Sequence, residues 1–373
     1  MVKEKLLTVT AAALSLSFLL TACGNSQATA TTAADSQTAS TTAAGSTAQT
    51  EESSKAAETG SSADGKASGT KWSITIPGKS GSLCNAPTYI AYEKGFFAEE
   101  GIDVELITAD FEAKKVGLAN GTIATINGDF QYFPSIEAGV KMTIVEGLHQ
   151  GCIKLNVLPD SPIQGVKDLV GAKIAVDEIG GTPYQVALLW LAQNGISADQ
   201  VTFLPFNDGS LELEALYNGQ VDVAALWDPL ATTSVEDGKV RTILDISKDE
   251  PFAGHYCCFL YASDKVVKED PELIAAELRA YHKAQNWIYE NPEEAVSLVT
   301  EKQYVSIEDH DLAVDLIKSY GYPSTADYEN HKVNVKADVE YFAKALYDIG
   351  FLSTDPKEYV ESAYTDVDLT LGQ

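Results

Sequence analysis

A short segment near the middle of the chain carries residues that can hold a small anion. Residues 174–176 are typical of a buried strand, and the apolar run 186–191 is typical of a helix. Between them, at 180–183, the sequence is GGTP, in which the glycines permit a tight turn, Thr182 can cap the helix and Pro183 suits its first turn. Free amides and the positive end of the helix dipole attract negative charge. The same pattern also occurs in an ordinary strand-to-helix turn, and this segment alone does not decide between the two.

Sulfur and imidazole groups could supply a second kind of site. Beyond Cys23, the chain has four cysteines, and a histidine precedes two of them at close spacing. Three interpretations stay open. They are a disulfide such as one between Cys152 and Cys257 or Cys258, unpaired small core residues, and a soft-metal or thiol-ligand site. No segment has the tight CxxC spacing of a zinc site, so we expect no metal. The candidate ligands, should a metal bind, are Cys84, His149, Cys152, His255 and Cys257.

Composition excludes some classes of partner. The formal net charge of -28 disfavours nucleic acid, because phosphate contacts need basic surface. Arg241 and Arg279 are the only arginines in the sequence. We therefore do not expect a bidentate arginine clamp, and backbone amides and hydroxyls would have to hold any bound anion.

The N-terminus predicts export and lipid attachment. Lys3 and Lys5 precede an apolar run, which ends in LTACG at residues 20–24. This layout is typical of a secretory signal, and its end resembles the lipobox of bacterial lipoproteins, in which the cysteine is acylated by chains such as palmitate. We expect a signal peptide at 1–22, a lipidated Cys23, and a disordered Ser/Thr/Ala-rich tether over 23–70, because that composition cannot form a core.

The elements that must position the site alternate between strand and helix. Residues 72–76 are typical of a strand, and a helix follows from Ala86 after a Gly/Ser-rich loop. Two later segments, 114–129 and 212–228, each contain a helix ended by Asn-Gly, then a strand, then an acidic residue. Ligands of open α/β sheets bind at the carboxyl ends of such strands. We therefore predict two similar α/β lobes with a shared binding edge.

The chain is predicted to cross between the lobes twice. Residues 147–155 and 255–261 are the apolar crossover strands, and four helices follow between 271 and 350. We expect lobe 1 to comprise 71–155 and 259–373, and lobe 2 to comprise 156–258. Because neighbours on a strand point to opposite faces, at most one of Cys257 and Cys258 should face the cleft.

Five segments together resemble a known family. They are PTYIAYEKGFFAEEGIDVEL, LANGTIATINGD, VKDLVGAKIAVDEIGGTPYQVALLWL, LYNGQVDVAALWDPL and DPELIAAELRAYHKAQNWIYENPEEA. They are similar to the solute-binding proteins of nitrate, sulfonate, taurine and thiamine-pyrimidine ABC importers, a family that also includes THI5-like proteins. The resemblance runs from about residue 73 to about residue 350 and implies an α/β, type II periplasmic-binding-protein fold. That fold has two lobes joined by two crossover strands, a helical C-terminal tail on the first lobe, and a cleft that closes on its ligand.

The resemblance also implies which residues bind the ligand. Thr182 and nearby amides would hold a polar or anionic head, Phe130 and Trp227 would pack on an apolar part, and Asp228 would accept a hydrogen bond from a donor. Buried packing for Trp227, and helix capping or solvation for Asp129 and Asp228, are the competing interpretations. The full set of expected contacts is Cys84, Asn85, Ala86, Asp129, Phe130, Thr182, Pro183, Trp227 and Asp228.

The function that follows from the resemblance is capture of a small anionic or polar organic solute, sulfonate-, nitrate-, taurine- or pyrimidine-like, for an ABC importer. The implied partners are the permease, its ATPase and the membrane through the lipid anchor, on the extracytoplasmic face. We expect a monomer that has no cofactor and no enzymatic activity. The alternatives are a thiol- or metal-binding capture lipoprotein and a pyrimidine-precursor enzyme of the same fold. The cysteines depart from the family pattern, so the ligand class is not simply inherited.

Overall fold

A computed structural model describes residues 69–78 and 81–373, all within the compact unit Asp64–Gln373. The predicted signal peptide, the lipidated Cys23 and nearly all of the predicted tether lie outside the described residues. Within the described ranges, no helix combines the length and apolar character needed to cross a bilayer.

The first lobe contains two small sheets. Strands β1 and β2 pair in parallel, as the strand-helix alternation predicted. Strands β3, β10 and β4 form an antiparallel sheet in that order, with β10 in the centre. The bounds are β1 Trp72–Pro77, β2 Ile102–Ile107, β3 Thr125–Asp129, β4 Met142–Gln150 and β10 Tyr256–Ser263.

The second lobe contains one five-stranded sheet in the order β7-β6-β8-β5-β9. β6 runs parallel to β7 and β8, whereas β5 is antiparallel to β8 and β9 because the chain enters the lobe on β5 from the opposite direction. The bounds are β5 Ile153–Val157, β6 Lys173–Val176, β7 Thr202–Pro205, β8 Val223–Trp227 and β9 Arg241–Asp245.

Helices cover the sheets and form the C-terminal region. Those after β10 pack on the first lobe, where α9 lies against α1 and α14 lies against β4. Their bounds are α1 Ala86–Glu93, α2 Phe96–Glu99, α3 Phe111–Asn120, α4 Phe133–Glu137, α5 Thr182–Gln193, α6 Gly209–Tyr217, α7 Leu230–Glu236, α8 Asp264–Glu269, α9 Pro271–Glu290, α10 Pro292–Glu301, α11 His310–Ser319, α12 Thr325–Glu329, α13 Val335–Asp348 and α14 Pro356–Ala363. Single turns of 3-10 helix lie at Leu83–Asn85, Phe130–Tyr132, Val166–Leu169 and Ala198–Gln200.

The two connections between the lobes meet at Gly151. β4 ends at Gln150 and β5 begins at Ile153, so Gly151 and Cys152 form the first connection. Gly151 has a φ of +41°, and a Cβ there would lie 2.4 Å from the Cα of Ser247, in the return connection between β9 and β10. A side chain at this position would therefore push the two connections apart. The lobe boundaries at 155/156 and 258/259 stay predictions. In the structure, β5 pairs within the sheet of the second lobe from Ile153 onward.

The internal similarity between the lobes is present in the structure. α3 and α6 are each followed by a left-handed glycine, Gly121 with φ of +78° and Gly219 with φ of +67°. Each helix is then followed by a strand, β3 or β8. Asp129 and Trp227 occupy the last positions of these two strands. The sequence pattern therefore placed corresponding strand ends correctly.

Candidate functional site

A cleft of about 650 Å³ is lined by loops of both lobes. The first lobe contributes the loop before α1, one face of α3 and the end of β3, and the second contributes the start of α6 and the end of β8. The sequence predicted that the strand ends of the two lobes share one binding edge, and the cleft lies at these strand ends. The lining residues are Gly81, Ser82, Cys84, Asn85, Phe111, Lys114, Asn127, Gly128, Asp129, Gln131, Tyr132, Asp208, Gly209, Trp227, Asp228, Pro229, Leu230 and Cys258.

Five of the nine expected contact residues line this cleft: Cys84, Asn85, Asp129, Trp227 and Asp228. The other four are buried in the lobes. Two of them, Thr182 and Phe130, have a specific side-chain partner inside the protein. These four are Ala86, Phe130, Thr182 and Pro183.

Thr182 is the first residue of α5, and Gly181, not Thr182, occupies the cap position. The Thr182 side chain is fully buried, and its hydroxyl donates a 2.5 Å hydrogen bond to Oδ1 of Asp129 in the first lobe. We expected Thr182 to hold an anionic ligand. In the structure its hydroxyl instead bonds to a carboxylate of the protein. The same Oδ1 accepts a hydrogen bond from the amide of Gln131 at 2.9 Å.

Phe130 points into the core of the first lobe. Its ring stacks on Phe342 of α13 with centroids 4.4 Å apart, and none of its surface is exposed. Ala86 and Pro183 lie in the first turns of α1 and α5 and are buried. The aromatic walls of the cleft come instead from Phe111, Tyr132 and Trp227.

Trp227 is half-buried at the end of β8, and its orientation is set by Asp177. The indole Nε1 donates to Oδ2 of Asp177 at 2.9 Å. Burial raises the pKa of Asp177, and this hydrogen bond acts in the opposite direction. A ring held in this way presents a fixed apolar surface to the cleft.

Asp228 is part of a buried ion-pair network. Its Oδ2 forms a very short contact with Nζ of Lys154, which also lies 3.7 Å from Oδ2 of Asp245. Its Oδ1 accepts hydrogen bonds from the amide and the hydroxyl of Thr232 in α7. Both carboxylate oxygens therefore have partners within the protein. The helix-capping interpretation describes this residue better than a free acceptor for a solute.

Sequence reasoning missed several lining residues. Asn127 and Gln131 flank Asp129, and Asp208 caps α6 through hydrogen bonds from two backbone amides. The strand-end rule that selected Asp129 could have selected Asn127, whose Nδ2 donates to the carbonyl of Cys84 at 2.8 Å. Lys114 on α3 is a further lining residue, and burial lowers its pKa.

Burial raises the pKa of Asp129 to about 6, although the hydrogen bonds from Thr182 and Gln131 act to lower it. Within the part of the chain that the structure describes, the charged groups that line the cleft are the carboxylates of Asp129, Asp208 and Asp228 and the ammonium of Lys114. Neither arginine is among them, as the sequence predicted. Arg241 instead donates to the carbonyls of Ser161 and Ile163.

The four cysteines beyond Cys23 are free, and two of them, Cys84 and Cys258, line the cleft. The Sγ atoms of Cys152 and Cys258 are 3.9 Å apart, so the disulfide alternative is not formed in the structure. Cys258 lines the cleft and Cys257 does not, which agrees with the prediction that at most one of them faces it. Hydrogen bonds with Cys152 and Cys258 lower the pKa of the Cys84 thiol, although burial acts to raise it.

Of the two candidate histidines, only His149 joins the cysteines. His255 was expected as a possible ligand, but it precedes β10 and turns away from the cluster. Its Nδ1 lies 2.7 Å from Oδ1 of Asp338, and its ring stacks on Tyr341. The residues of this region that could hold a metal are therefore His149, Cys152, Cys257 and Cys258.

The comparisons with known proteins agree with this architecture. A nitrate/nitrite binding protein, NrtA of Nostoc sp., is 26% identical over 300 residues, which is 72% of this chain and 67% of that protein. The alkanesulfonate-binding protein SsuA from Xanthomonas axonopodis pv. citri, solved with MOPS bound, has a TM-score of 0.62 at 16% identity, covering 81% of this chain and 100% of that one. The Candida albicans CA3427 gene product, described as having the generic periplasmic binding protein fold, has a TM-score of 0.63 at 12% identity, covering 81% and 98%.

These structural matches show that the chain has the periplasmic-binding-protein fold that the resemblance implied. The family model described as NMT1/THI5 like matches residues 84–295, which is more than half of the chain and spans both lobes and the cleft loops. The chain therefore belongs to the NMT1/THI5-like family.

Proposed function

We propose that this chain is the solute-binding component of an ABC importer and captures one small polar organic solute between its lobes. The observation that carries the proposal is the cleft of about 650 Å³ at corresponding strand ends of the two lobes. A cavity of this size suits a small molecule. The relatives named for nitrate and alkanesulfonate binding support a solute-binding role. We propose capture without turnover.

The cleft lining favours a solute that donates hydrogen bonds over a strongly anionic one. Among the described residues that line the cleft, three are aspartates and one is a lysine, so these side chains together carry a negative formal charge. Phe111, Tyr132 and Trp227 supply flat apolar surface for a ring. Among the solute classes that the family resemblance implies, a pyrimidine-like ring with amino groups fits these walls better than nitrate or a sulfonate does.

We further propose that the mature protein is held at the extracytoplasmic face of the cell membrane by lipid on Cys23. The support is the basic and apolar N-terminus followed by LTACG. A chain so anchored would deliver its solute to a permease and ATPase in the same membrane, as a monomer. Labelling of growing cells with a palmitate analogue, comparing the natural chain with Cys23→Ser, tests the anchor.

A thermal-shift screen of the full-length protein tests the solute class. The panel contains aminopyrimidines, simple amines, taurine, alkylsulfonates and nitrate. We expect an aminopyrimidine to raise the melting temperature, with a stabilisation of about 2.7 kcal/mol at one hundred times its dissociation constant. Trp227→Phe should weaken this shift. Trp287→Phe is the matched control, because Trp287 lies on α9 under Lys94 and outside the cleft lining.

A second pair of variants separates the solute classes by charge. Lys114 lines the cleft, whereas the exposed Lys336 pairs with Glu361 and is not among the lining residues. For the proposed hydrogen-bond donor, Lys114→Met should leave binding unchanged or tighten it, and Lys336→Met should have no effect. Strong stabilisation by a sulfonate or nitrate that is lost only in Lys114→Met would contradict the proposed solute class.

A further inference from the structure

A compact group of metal-ligating side chains lies where the two connections between the lobes meet. His149 is on β4, Cys152 is in the first connection, and Cys257 and Cys258 begin β10. One ligand atom from each residue lies within 4.8 Å of every other, and all four residues are buried. No function proposed above uses this group.

A β-bulge brings the adjacent cysteines together. Tyr256 pairs with Gln150 and Cys258 pairs with His149, so Cys257 is an extra residue with no partner on β4. A bulge of this kind interrupts the strict alternation of side chains along a strand. The two Sγ atoms are therefore only 3.8 Å apart, although Cys257 and Cys258 are neighbours in sequence.

The imidazole of His149 has a buried nitrogen without a partner. Nδ1 lies 3.0 Å from the carbonyl of Gln150, which assigns the ring proton to Nδ1 and leaves a lone pair on Nε2. Among the residues that the structure describes, Nε2 has no hydrogen-bond partner, and His149 is completely buried. A metal-bound histidine usually donates the N–H of its other ring nitrogen to a carbonyl or carboxylate, which fixes the orientation of the ring.

The hydroxyls of two nearby tyrosines also lack partners. Tyr320 stacks on His149 with centroids 4.8 Å apart, and Tyr322 lies edge-on to the same ring. Their buried hydroxyl oxygens have no hydrogen-bond partner within residues 69–78 and 81–373. Because buried polar atoms are almost always satisfied, three unsatisfied ones around a single cysteine cluster indicate a missing polar or charged group.

The sulfur spacing matches that of a tetrahedral thiolate site. With zinc–sulfur bonds of about 2.3 Å, two sulfurs of a tetrahedron lie about 3.8 Å apart. The Cys152–Cys258 and Cys257–Cys258 separations are 3.9 Å and 3.8 Å. Three sulfurs and one imidazole nitrogen form a set that selects thiophilic metal ions over calcium or magnesium.

We propose that His149, Cys152, Cys257 and Cys258 bind one thiophilic transition-metal ion, and that zinc fits the site. The thiols release their protons to solvent as they become thiolate ligands, and Nε2 of His149 likewise releases any proton that it carries before it binds the ion. The ion would join β4, the first connection and β10, the parts of the chain that link the lobes. Cys258 also lines the cleft, so the ion would lie directly beneath the solute.

Metal binding to the full-length protein tests the proposal independently of any solute. The protein is purified with a reductant and without chelator, stripped of metal, and titrated with Zn²⁺ against a chromogenic indicator. We expect one Zn²⁺ per chain. Replacement by Co²⁺ should give the intense visible absorption of a tetrahedral site and a sulfur-to-cobalt charge-transfer band. This spectrum needs no variant, so it is informative even if substitutions impair folding.

Single substitutions identify the ligands. Cys152→Ser, Cys258→Ser and His149→Gln should each weaken Zn²⁺ binding by more than the roughly 10- to 100-fold loss that removal of an outer-shell partner causes. His255→Gln is the matched control, since His255 bonds to Asp338 outside the cluster, and it should bind Zn²⁺ like the natural chain. Melting of each metal-free variant checks that it is folded.

Two results would overturn the proposal. One is that the reduced protein fails to bind stoichiometric Zn²⁺ and gives no sulfur-to-cobalt band. The other is that binding persists unchanged in all three ligand variants, which would place the metal elsewhere. Thiol titration of the air-exposed protein would then show whether a Cys152–Cys258 disulfide forms in place of the metal site.

Discussion

The hydroxyl of Thr182, at the start of a helix in the second lobe, donates a 2.5 Å hydrogen bond to the carboxylate of Asp129, at the end of a strand in the first lobe. A second contact joins the lobes nearby, where Nε2 of Gln131 donates to Oε1 of Glu178 at 2.6 Å. Thr182 follows the glycine turn and Asp129 ends β3, and the resemblance had implied that both residues contact the ligand. In this structure they bind each other.

Replacement of Thr182 by valine should destabilise the fold. The change keeps the shape of the side chain but removes the hydroxyl that donates a hydrogen bond to Asp129. Loss of such a hydrogen bond to a carboxylate lowers the free energy of unfolding by about 1 to 3 kcal/mol. Urea unfolding measures the difference. Thr182→Ser retains the hydroxyl and should lose much less, whereas equal losses in both variants would show that the methyl group, not the hydrogen bond, matters.

Ionisation of Asp129 should make stability depend on pH. Burial raises its folded-state pKa to about 6 from 3.8, so the folded state binds more protons than the unfolded state between these values. The contribution of this group to stability therefore falls as pH rises from 3.8 through 6. Asp129→Asn removes this pH dependence. As pH rises through this range, the unfolding free energy of the variant should therefore increase relative to that of the natural chain. Parallel curves for the two proteins would contradict this prediction.

Lys154 should be essential to the second lobe. Its ammonium is buried between Asp228 and Asp245, and Lys154→Met would leave the buried carboxylate of Asp228 without its cation, whereas Asp245 would keep Lys248 at 3.4 Å. Breaking a buried ion pair costs about 3 to 5 kcal/mol. Chemical denaturation tests this.

The exposed Lys239–Asp237 pair is the matched control for Lys154. Lys239→Met should change stability by less than about 1 kcal/mol, because water screens exposed pairs. A similar small loss in Lys154→Met would mean that the buried network adds little to the fold.

Glu277 on α9 should destabilise the protein at alkaline pH. The side chain is completely buried, Thr125 donates to one oxygen, and the other oxygen has no partner among the described residues. Burial raises its pKa to about 8 from 4.5, so its contribution to stability falls as pH rises between these values. Glu277→Gln should therefore stabilise the protein near pH 9 and have little effect at pH 4.5. Thermal melts at both values measure the difference, and a pH-independent effect would exclude ionisation as the cause.

The sequence by itself determined the order of the elements and the location of the binding edge. Period-two and helical patterns are local, and Asn-Gly ends require a left-handed residue wherever they occur. Gly121 and Gly219 therefore identified two similar helix ends. The strands that follow them predicted that Asp129 and Trp227 lie at corresponding strand ends, without any knowledge of the packing. The sequence also predicted the starts of α9 and α10, because proline is favoured in the first turn of a helix and these helices begin at Pro271 and Pro292.

Only the tertiary structure decided which of these side chains face the cleft. Thr182 became buried because Asp129, which is distant in sequence, accepts its hydrogen bond, and Phe130 turned inward because Phe342 stacks on it. The cluster of His149 with Cys152, Cys257 and Cys258 likewise depends on strand register and on a bulge. Such pairings are set by packing between remote segments, and the spacing of residues along the chain does not encode them locally.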